Sequence, residues 1–322
     1  MFKARSLHAS AVAIALAATM IVGARVAADQ SSDVPTYSQS LANLNVSLAA
    51  AGVSKFRIDA AELSVTSAGA NAATTLIAND RTHRLTSQFV ASDPRRGGLA
   101  DLSYLVDQSD GIALGFNAAG TGVIQLPNAV TEPAIDRSIR RWGNATQCPS
   151  PALTKVADDG TDPDVVDGLV FGDPARIGTP RADITQAGWL PAAFFDALTP
   201  NGSQFILGVT FTFIFVDDAG NPTDIDRDGA ADVAFREIYY NRAFPWTAST
   251  PARPFEVDID SVATHESGHA LGLAHFGKVF IDNKGALKFA PRAVMNAVYA
   301  STFFEPVGTD NASYCSVWAS RR

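Results

Sequence analysis

The chain has 322 residues, is 47% hydrophobic and 18% charged, and sets 33 acidic side chains against 25 Lys and Arg for a formal charge of −8. No basic run or aromatic-interleaved basic stripe interrupts that acidic balance, so a polyanion such as nucleic acid has no electrostatic footprint on it. The length allows one large domain or two small ones, with ample residues for a core.

Taken from the start, Lys3 and Arg5 precede a continuous apolar stretch from Ala9 to Val22, and Val26-Ala27-Ala28 supplies small residues ahead of Asp29. That pattern predicts a secretory signal peptide over residues 1–28, too short for a comfortable membrane span, with an uncleaved anchor as the alternative. Its removal takes away Lys3, Arg5 and Arg25 and no acid, moving the charge from −8 to −11. The expected setting is extracellular or periplasmic, without membrane attachment after processing. Residues 29–52 are too plain to read. Residues 56–89 hold short alternating pieces such as Phe56-Arg57-Ile58 and Glu62-Leu63-Ser64-Val65, which predict β-structure in a small N-terminal region or propeptide of unknown role. The breaker cluster Asp93-Pro94-Arg95-Arg96-Gly97-Gly98 sets a boundary there, dividing an N-terminal region of 29–97 from a domain of 98–322.

Strands are expected near 102–106 and 122–126. Thr131-Glu132-Pro133 reads as a helix start with Thr131 as the cap, and Ile135, Ile139 and Trp142 recur at helical spacing on one face. Cys148 and Cys315 are an even count in an exported chain, which predicts a disulfide, with two separate thiols as the alternative. Residues 158–183, rich in Asp, Gly and Pro, read as loop. A strand near Ile184, a short helix over 191–198 and a long strand over 205–216 follow. The next segment places Asp224, Asp226, Asp228 and Asp232 around Gly229, an oxygen-rich turn suited to Ca²⁺; the alternative is a solvated acidic loop. A strand over 234–240 then leads into the most informative segment.

That segment is His265-Glu266-Ser267-Gly268-His269-Ala270-Leu271-Gly272-Leu273-Ala274-His275. On a helix His265 and His269 lie one above the other, each able to offer a ring nitrogen to one Zn²⁺ at about 2.0–2.1 Å. Glu266, next to the first ligand, can reach a water at the metal without ligating it, where a general base must stand. A left-handed residue at Gly272 ends the helix and brings His275 round as a third ligand, leaving a fourth position for water. A bare H-E-x-x-H arises by accident in about 1 of 100 chains of this length, and the spaced Gly and His lower that by about three orders of magnitude.

Twenty residues on, Met295 sits in the short apolar run Ala293-Val294-Met295-Asn296-Ala297-Val298-Tyr299. With the zinc motif and the lead-in Ala234-Phe235-Arg236-Glu237-Ile238-Tyr239-Tyr240-Asn241, this resembles the Met-turn and site of metzincin zinc proteases, particularly secreted bacterial members of the matrixin branch. The resemblance runs from roughly Thr131 to Tyr299 and is carried mainly by residues from Val233 onward. It implies an α+β, metzincin-type fold: a twisted, mostly parallel sheet, an active-site helix, a Met-turn and a small C-terminal subdomain. It also implies that the strand over 234–240 is an edge that pairs with extended peptide substrate, and that Tyr299 either holds an oxyanion or packs under the site. Phe276 and Ala297 depart from the branch's usual residues, and 281–287 reads as an inserted hairpin with an Asn-Lys-Gly turn. Cys148 lacks the flanks of a matrixin latency thiol. The expected function is a secreted zinc metalloendopeptidase with Glu266 as base. The alternatives are a zinc-binding pseudoenzyme that holds a ligand without turnover, and a structural protein stapled by the metal.

Overall fold

Residues 206–215 read Ile-Leu-Gly-Val-Thr-Phe-Thr-Phe-Ile-Phe, with Val209, Phe211 and Phe213 pointing to one face and Thr210 and Thr212 to the other. Such β-branched and aromatic alternation suits a pleated strand whose two faces meet different surroundings. The computed structural model, which describes residues 37–67, 84–145, 148–284 and 286–319, places this strand near the middle of an eight-stranded sheet. The expected signal peptide lies outside the described residues.

In chain order the elements are helix α1 (Tyr37–Ala50), strands β1 (Phe56–Thr66), β2 (Ser87–Gln88), β3 (Leu102–Val106), β4 (Ala113–Phe116) and β5 (Val123–Leu126), then α2 (Asn128–Ala145) and β6 (Leu153–Val156). There follow α3 (Val166–Phe171), β7 (Ile184–Leu190), α4 (Ala192–Leu198), β8 (Ile206–Phe215), β9 (Ala231–Asn241), β10 (Trp246–Thr247), β11 (Val257–Asp258) and α5 (Ile259–Ala270). A hairpin of β12 (Lys278–Ile281) and β13 (Leu287–Ala290), then β14 (Val298–Tyr299) and α6 (Gly308–Trp318), complete the chain. The main sheet runs β14-β1-β8-β9-β7-β3-β6, with β2 added beside β9. Its pairings are parallel except those of β8 with β1 and with β9. The fold is therefore α+β on a mixed, mostly parallel sheet.

Helices cover both faces. On one, Trp142 and Ile139 of α2, Val262 of α5 and Tyr314 of α6 pack with Ile238 and Tyr240 of β9. On the other, Leu48 of α1, Val166 of α3 and Phe194 of α4 pack on Val209, Phe211 and Tyr239. Each such fully buried apolar side chain contributes about 1.5–3 kcal/mol over its exposed state. Among the described residues no helix is long and apolar enough to cross a membrane.

Three expectations are corrected. Residues on both sides of the boundary expected at 97/98 share one sheet and one compact unit spanning Pro35–Arg322, because β1 is an interior strand hydrogen-bonded to both β8 and β14. The strand over 234–240 is not an edge: β9 lies between β7 and β8, and its polar Arg236 and Glu237 are fully buried. Helix α2 starts at Asn128, with the Pro127 carbonyl accepting from Val130 and Thr131, so buried Thr131 lies inside the helix rather than capping it. The hairpin expected near 281–287 is present as β12 and β13. Cys148 and Cys315 are joined in a disulfide that ties the segment after α2 to α6.

Candidate metal centre

Helix α5 is fixed at both ends. Asp258 caps its start, its Oδ1 accepting from Ser261 N at 2.7 Å and Ser261 Oγ at 2.6 Å. At its end Arg236 donates through Nη1 to the Ala270 carbonyl at 2.9 Å, a cation at the negative pole of the helix. Asp260 forms ion pairs with Arg137 and Arg141 of α2, and Trp142 Nε1 donates to the Thr264 carbonyl, so α5 is held in both position and rotation. Gly272 is left-handed at φ +92°, and a Cβ there would run into the Gln88 amide, so glycine is required on both counts. The turn it makes brings His275 back against the helix.

The three imidazoles converge. Their Nε2 atoms stand 3.0 Å (His265–His269), 3.1 Å (His265–His275) and 3.1 Å (His269–His275) apart. Ligands at 2.0–2.1 Å from one tetrahedral Zn²⁺ stand about 3.3–3.4 Å from each other, so the spacing fits that ion with a shift of a few tenths of an ångström. The outer nitrogens decide the tautomer: His265 Nδ1 donates to the Val294 carbonyl at 2.7 Å and His269 Nδ1 to the Leu273 carbonyl at 2.8 Å. Both Nε2 lone pairs then point inward, the usual support for a metal-ligating histidine. His275 Nδ1 faces Glu62 Oε2 at 3.4 Å, too long for a strong bond, and both groups are buried. Burial pushes His265 down to about 4 and the other two well below the usual range, so all three rings are neutral and ready to ligate. His265 and His269 thus turn two unprotonated Nε2 atoms toward His275 Nε2, an arrangement suited to a shared cation.

Glu266 is fully buried against β1 and β8. Its Oε2 accepts from Thr210 Oγ1 at 2.6 Å and its Oε1 from Ser64 N at 3.2 Å, and Gly208 leaves room for the side chain, since a Cβ there would stand 2.9 Å from it. Burial raises its pKa to about 7, with the bonds from Ser64 and Thr210 pulling the other way. Glu62, pushed up to about 8 by burial and then by the Glu266 charge, is a second buried acid beside the triad. Sequence reasoning missed Glu62 and Ser64, because only the long-range register of β1 on β8 brings them there.

Met295 lies under the helix, with its Sδ packed against Gly268 so closely that a Cβ would collide. Asp310 holds this turn, accepting from Val294 N at 2.9 Å, Met295 N at 3.1 Å and Val307 N at 2.9 Å. Tyr299 accepts from Asp258 N at 3.1 Å, supporting the helix start, and lines a cavity of about 40 Å³ beside His265 with Ser64, Val294, Val298 and Phe303.

The acidic loop is another matter. Oxygens of Asp224, Asp226 and Asp232 come within 4.8 Å of one another, but Asp228 is not in that group. Asp224 already accepts from Asp228 N and Gly229 N, and Asp232 from Arg95 and Thr223, so the loop satisfies its own carboxylates. Compared with known families and with curated proteins, the chain matches none.

Proposed function

We propose that the chain is a secreted, zinc-dependent endopeptidase of the metzincin type, similar to the matrixin branch, and that the conformation described is its latent form. The observation that carries the reading is the convergence of three neutral Nε2 atoms with a carboxyl, Glu266, one residue from the first of them. His265, His269 and His275 would hold Zn²⁺, which when bound supplies Lewis acidity to a scissile carbonyl and brings a water's pKa to about 7. Glu266, poised near neutral pH, takes the attacking water's proton and returns it to the leaving nitrogen. The Met295 turn and the Val294 and Leu273 carbonyls keep the rings in place throughout.

Latency follows from exposure. His265 is 4% exposed, His275 3%, and Glu266 and His269 not at all, because β1 lies over them. An extended peptide would pair with β8, and β1 occupies that track along the whole strand, so an outside substrate requires β1 to be displaced or cut. The same burial favours the second reading, a zinc-binding protein in which β1 is permanent. Metal analysis plus peptide-library cleavage on the secreted chain separates them: stoichiometric zinc with chelator-sensitive cleavage supports the endopeptidase, and zinc without cleavage after β1 is removed by limited proteolysis supports the binder. A chain that takes up no stoichiometric zinc sinks both.

A further inference from the structure

On the face of the sheet opposite the histidines, six carboxyl groups meet. Asp107 and Asp110 come from the turn after β3, Asp162, Asp164 and Asp167 from the loop before and into α3, and Glu237 from β9. Asp164, Asp167 and Glu237 are 0% exposed, and Asp107 and Asp110 are 5%. Oxygens of Asp107, Asp162 and Asp164 lie within 4.8 Å of one another, and so do those of Asp110, Asp162 and Asp167, giving two overlapping groups that share Asp162. The one cation among the described neighbours is Arg176, 2.6 Å from Asp167 but 3.6 and 3.8 Å from Asp110 and Asp162, on a side chain 42% exposed.

The polar atoms themselves point to a missing ligand. Both oxygens of fully buried Asp164, and one each of Asp107, Asp110 and Asp162, have no hydrogen-bond donor. Asp310, by contrast, takes three backbone N–H groups, and Asp258 and Asp107 each accept from a serine on one oxygen, which leaves Asp164 with both oxygens bare. A buried carboxylate without donor or counter-charge is among the costliest arrangements a fold can hold.

We propose that these residues bind a calcium ion, with Asp164 as the central ligand. Ca²⁺ takes 6–8 oxygens at 2.3–2.6 Å in adaptable geometry, which suits carboxylates drawn from two loops. Zinc would favour His or Cys, and neither is in the group. Mg²⁺ demands a tighter octahedron and keeps its waters, and a buried cluster of crowded carboxyls gives those little room. Without a cation, burial and the neighbouring charges hold Asp164 far above the carboxylate range, and burial lifts Asp110 to about 7. The ion would tie the turn after β3 to the loop at α3, two segments otherwise joined through Arg176 and the Ser109 Oγ bond to the Thr161 carbonyl.

The test uses the full chain stripped with EGTA. Calorimetric titration should show saturable Ca²⁺ uptake, with Mg²⁺ at least tenfold weaker, and Tb³⁺ should give emission sensitised by Trp189, whose backbone N–H donates to the Asp110 carbonyl at 2.8 Å. Asp164→Asn should lower Ca²⁺ affinity at least tenfold, whereas the pair Asp224→Asn and Asp228→Asn should leave it within twofold. Because Asn keeps the shape and stays neutral, as Asp164 is without a cation, Asp164→Asn in EGTA should melt no lower than the parent. Absence of uptake at millimolar Ca²⁺, or uptake lost in the Asp224/Asp228 pair and kept in Asp164→Asn, overturns the assignment.

A second inference comes from β1 and rests on the endopeptidase reading. β1 runs antiparallel to β8 and parallel to β14, with Val65 N donating to the Ala297 carbonyl at 3.0 Å. Ser64 N meets Glu266, Ser64 lines the cavity beside His265, and the Leu63 carbonyl lies against the His275 ring. We infer that the Leu63–Ser64 peptide bond is the chain's own processing site. Water adds across it: hydroxyl to the Leu63 carbonyl carbon, one proton through Glu266 to the Ser64 nitrogen, the C–N bond breaking and the new carboxyl passing its proton to the amine, to leave a Leu63 carboxylate and a Ser64 ammonium.

Zinc-loaded chain incubated alone should yield a new C-terminus at Leu63 and a new N-terminus at Ser64 by mass spectrometry. The rate at which a chelator strips the zinc should rise with the fraction cut. Glu266→Gln should keep its zinc and stay whole. Hydrolysis of casein with the Leu63–Ser64 bond intact overturns this inference and leaves the endopeptidase standing. Failure to cleave casein, library peptides or itself sinks the endopeptidase reading, and cutting at 63–64 in Glu266→Gln assigns the cut to another protease.

Discussion

The two faces of the sheet bury titratable groups in opposite ways. On the α5 face three imidazoles come from one eleven-residue stretch, and burial simply strips their protons, leaving neutral rings that survive without an ion. On the α3 face, carboxyls gathered from separate segments become neutral only by taking protons, and Asp164 has no donor to support a charge. A buried base is neutral once it sheds a proton, whereas a cluster of buried carboxyls without donors must hold protons or take a cation. An ion on the first face would serve chemistry; on the second it would serve cohesion.

The strongest way to break that contrast is Glu266→Gln. If the α5 face is catalytic, the variant keeps one zinc per chain by metal analysis while peptide hydrolysis falls by about 10²–10⁴-fold, the span a general base contributes. Unchanged hydrolysis in a metal-verified preparation would remove Glu266 from the mechanism. Next in size is the disulfide, which belongs to the α5 face alone. Cys148→Ser with Cys315→Ser should cost about 2–4 kcal/mol in denaturant unfolding and weaken zinc retention, yet leave calcium uptake untouched. Loss of both ions together would show that the faces are not independent. Gly272→Ala should destabilise by about 1–3 kcal/mol, since the new Cβ is strained at φ +92° and pushes on Gln88. An unshifted melting temperature would mean that the turn at Gly272 is looser than described.

The smallest effect concerns a third acid, Asp93. Burial pushes its carboxyl up, but hydrogen bonds from the Arg95 side chain and backbone, and the Arg95 charge, outweigh that and hold it below the usual range. A depressed carboxylate adds stability above its unfolded pKa of about 4 and loses it as the pH falls through the folded value. Asp93→Asn should lower stability at neutral pH and flatten the acid limb, so that the two profiles converge as the pH falls below about 4. A steeper acid limb would contradict the assignment.

What could be read from the sequence divides by distance along the chain. The triad, Gly272 and the β12–β13 hairpin depend on residues within a dozen positions, where helical spacing and turn chemistry act directly. The long strand β8 announced itself through its alternating Thr and aromatic residues. The place of β1 did not, because Phe56-Arg57-Ile58 and Glu62-Leu63-Ser64-Val65 alternate weakly and only pairing with β8 and β14 buries them. The edge position expected for β9 came only with the family resemblance, and local sequence does not show that its Arg236 and Glu237 are buried by partners at Ala270, Ser87 and Val166, which lie 34, 149 and 71 residues away. The Asp-rich run over 158–183 reads only as loop, because local composition is silent on Asp107, Asp110 and Glu237, which close over it. Meanwhile the Asp224–Asp232 loop, which looked built for an ion, turns its own N–H groups onto its oxygens.

Asp310 carries a consequence for how the protein is born. The floor beneath the imidazoles hangs on a carboxyl fifteen residues beyond Met295, so α5 and the Gly272 turn leave the ribosome before the support for His265 exists. Were these histidines to hold a metal, its capture would thereby be a late event in maturation. In an exported chain this would defer zinc loading until translocation is nearly over, when the supply is that of the far compartment and not the cytosol.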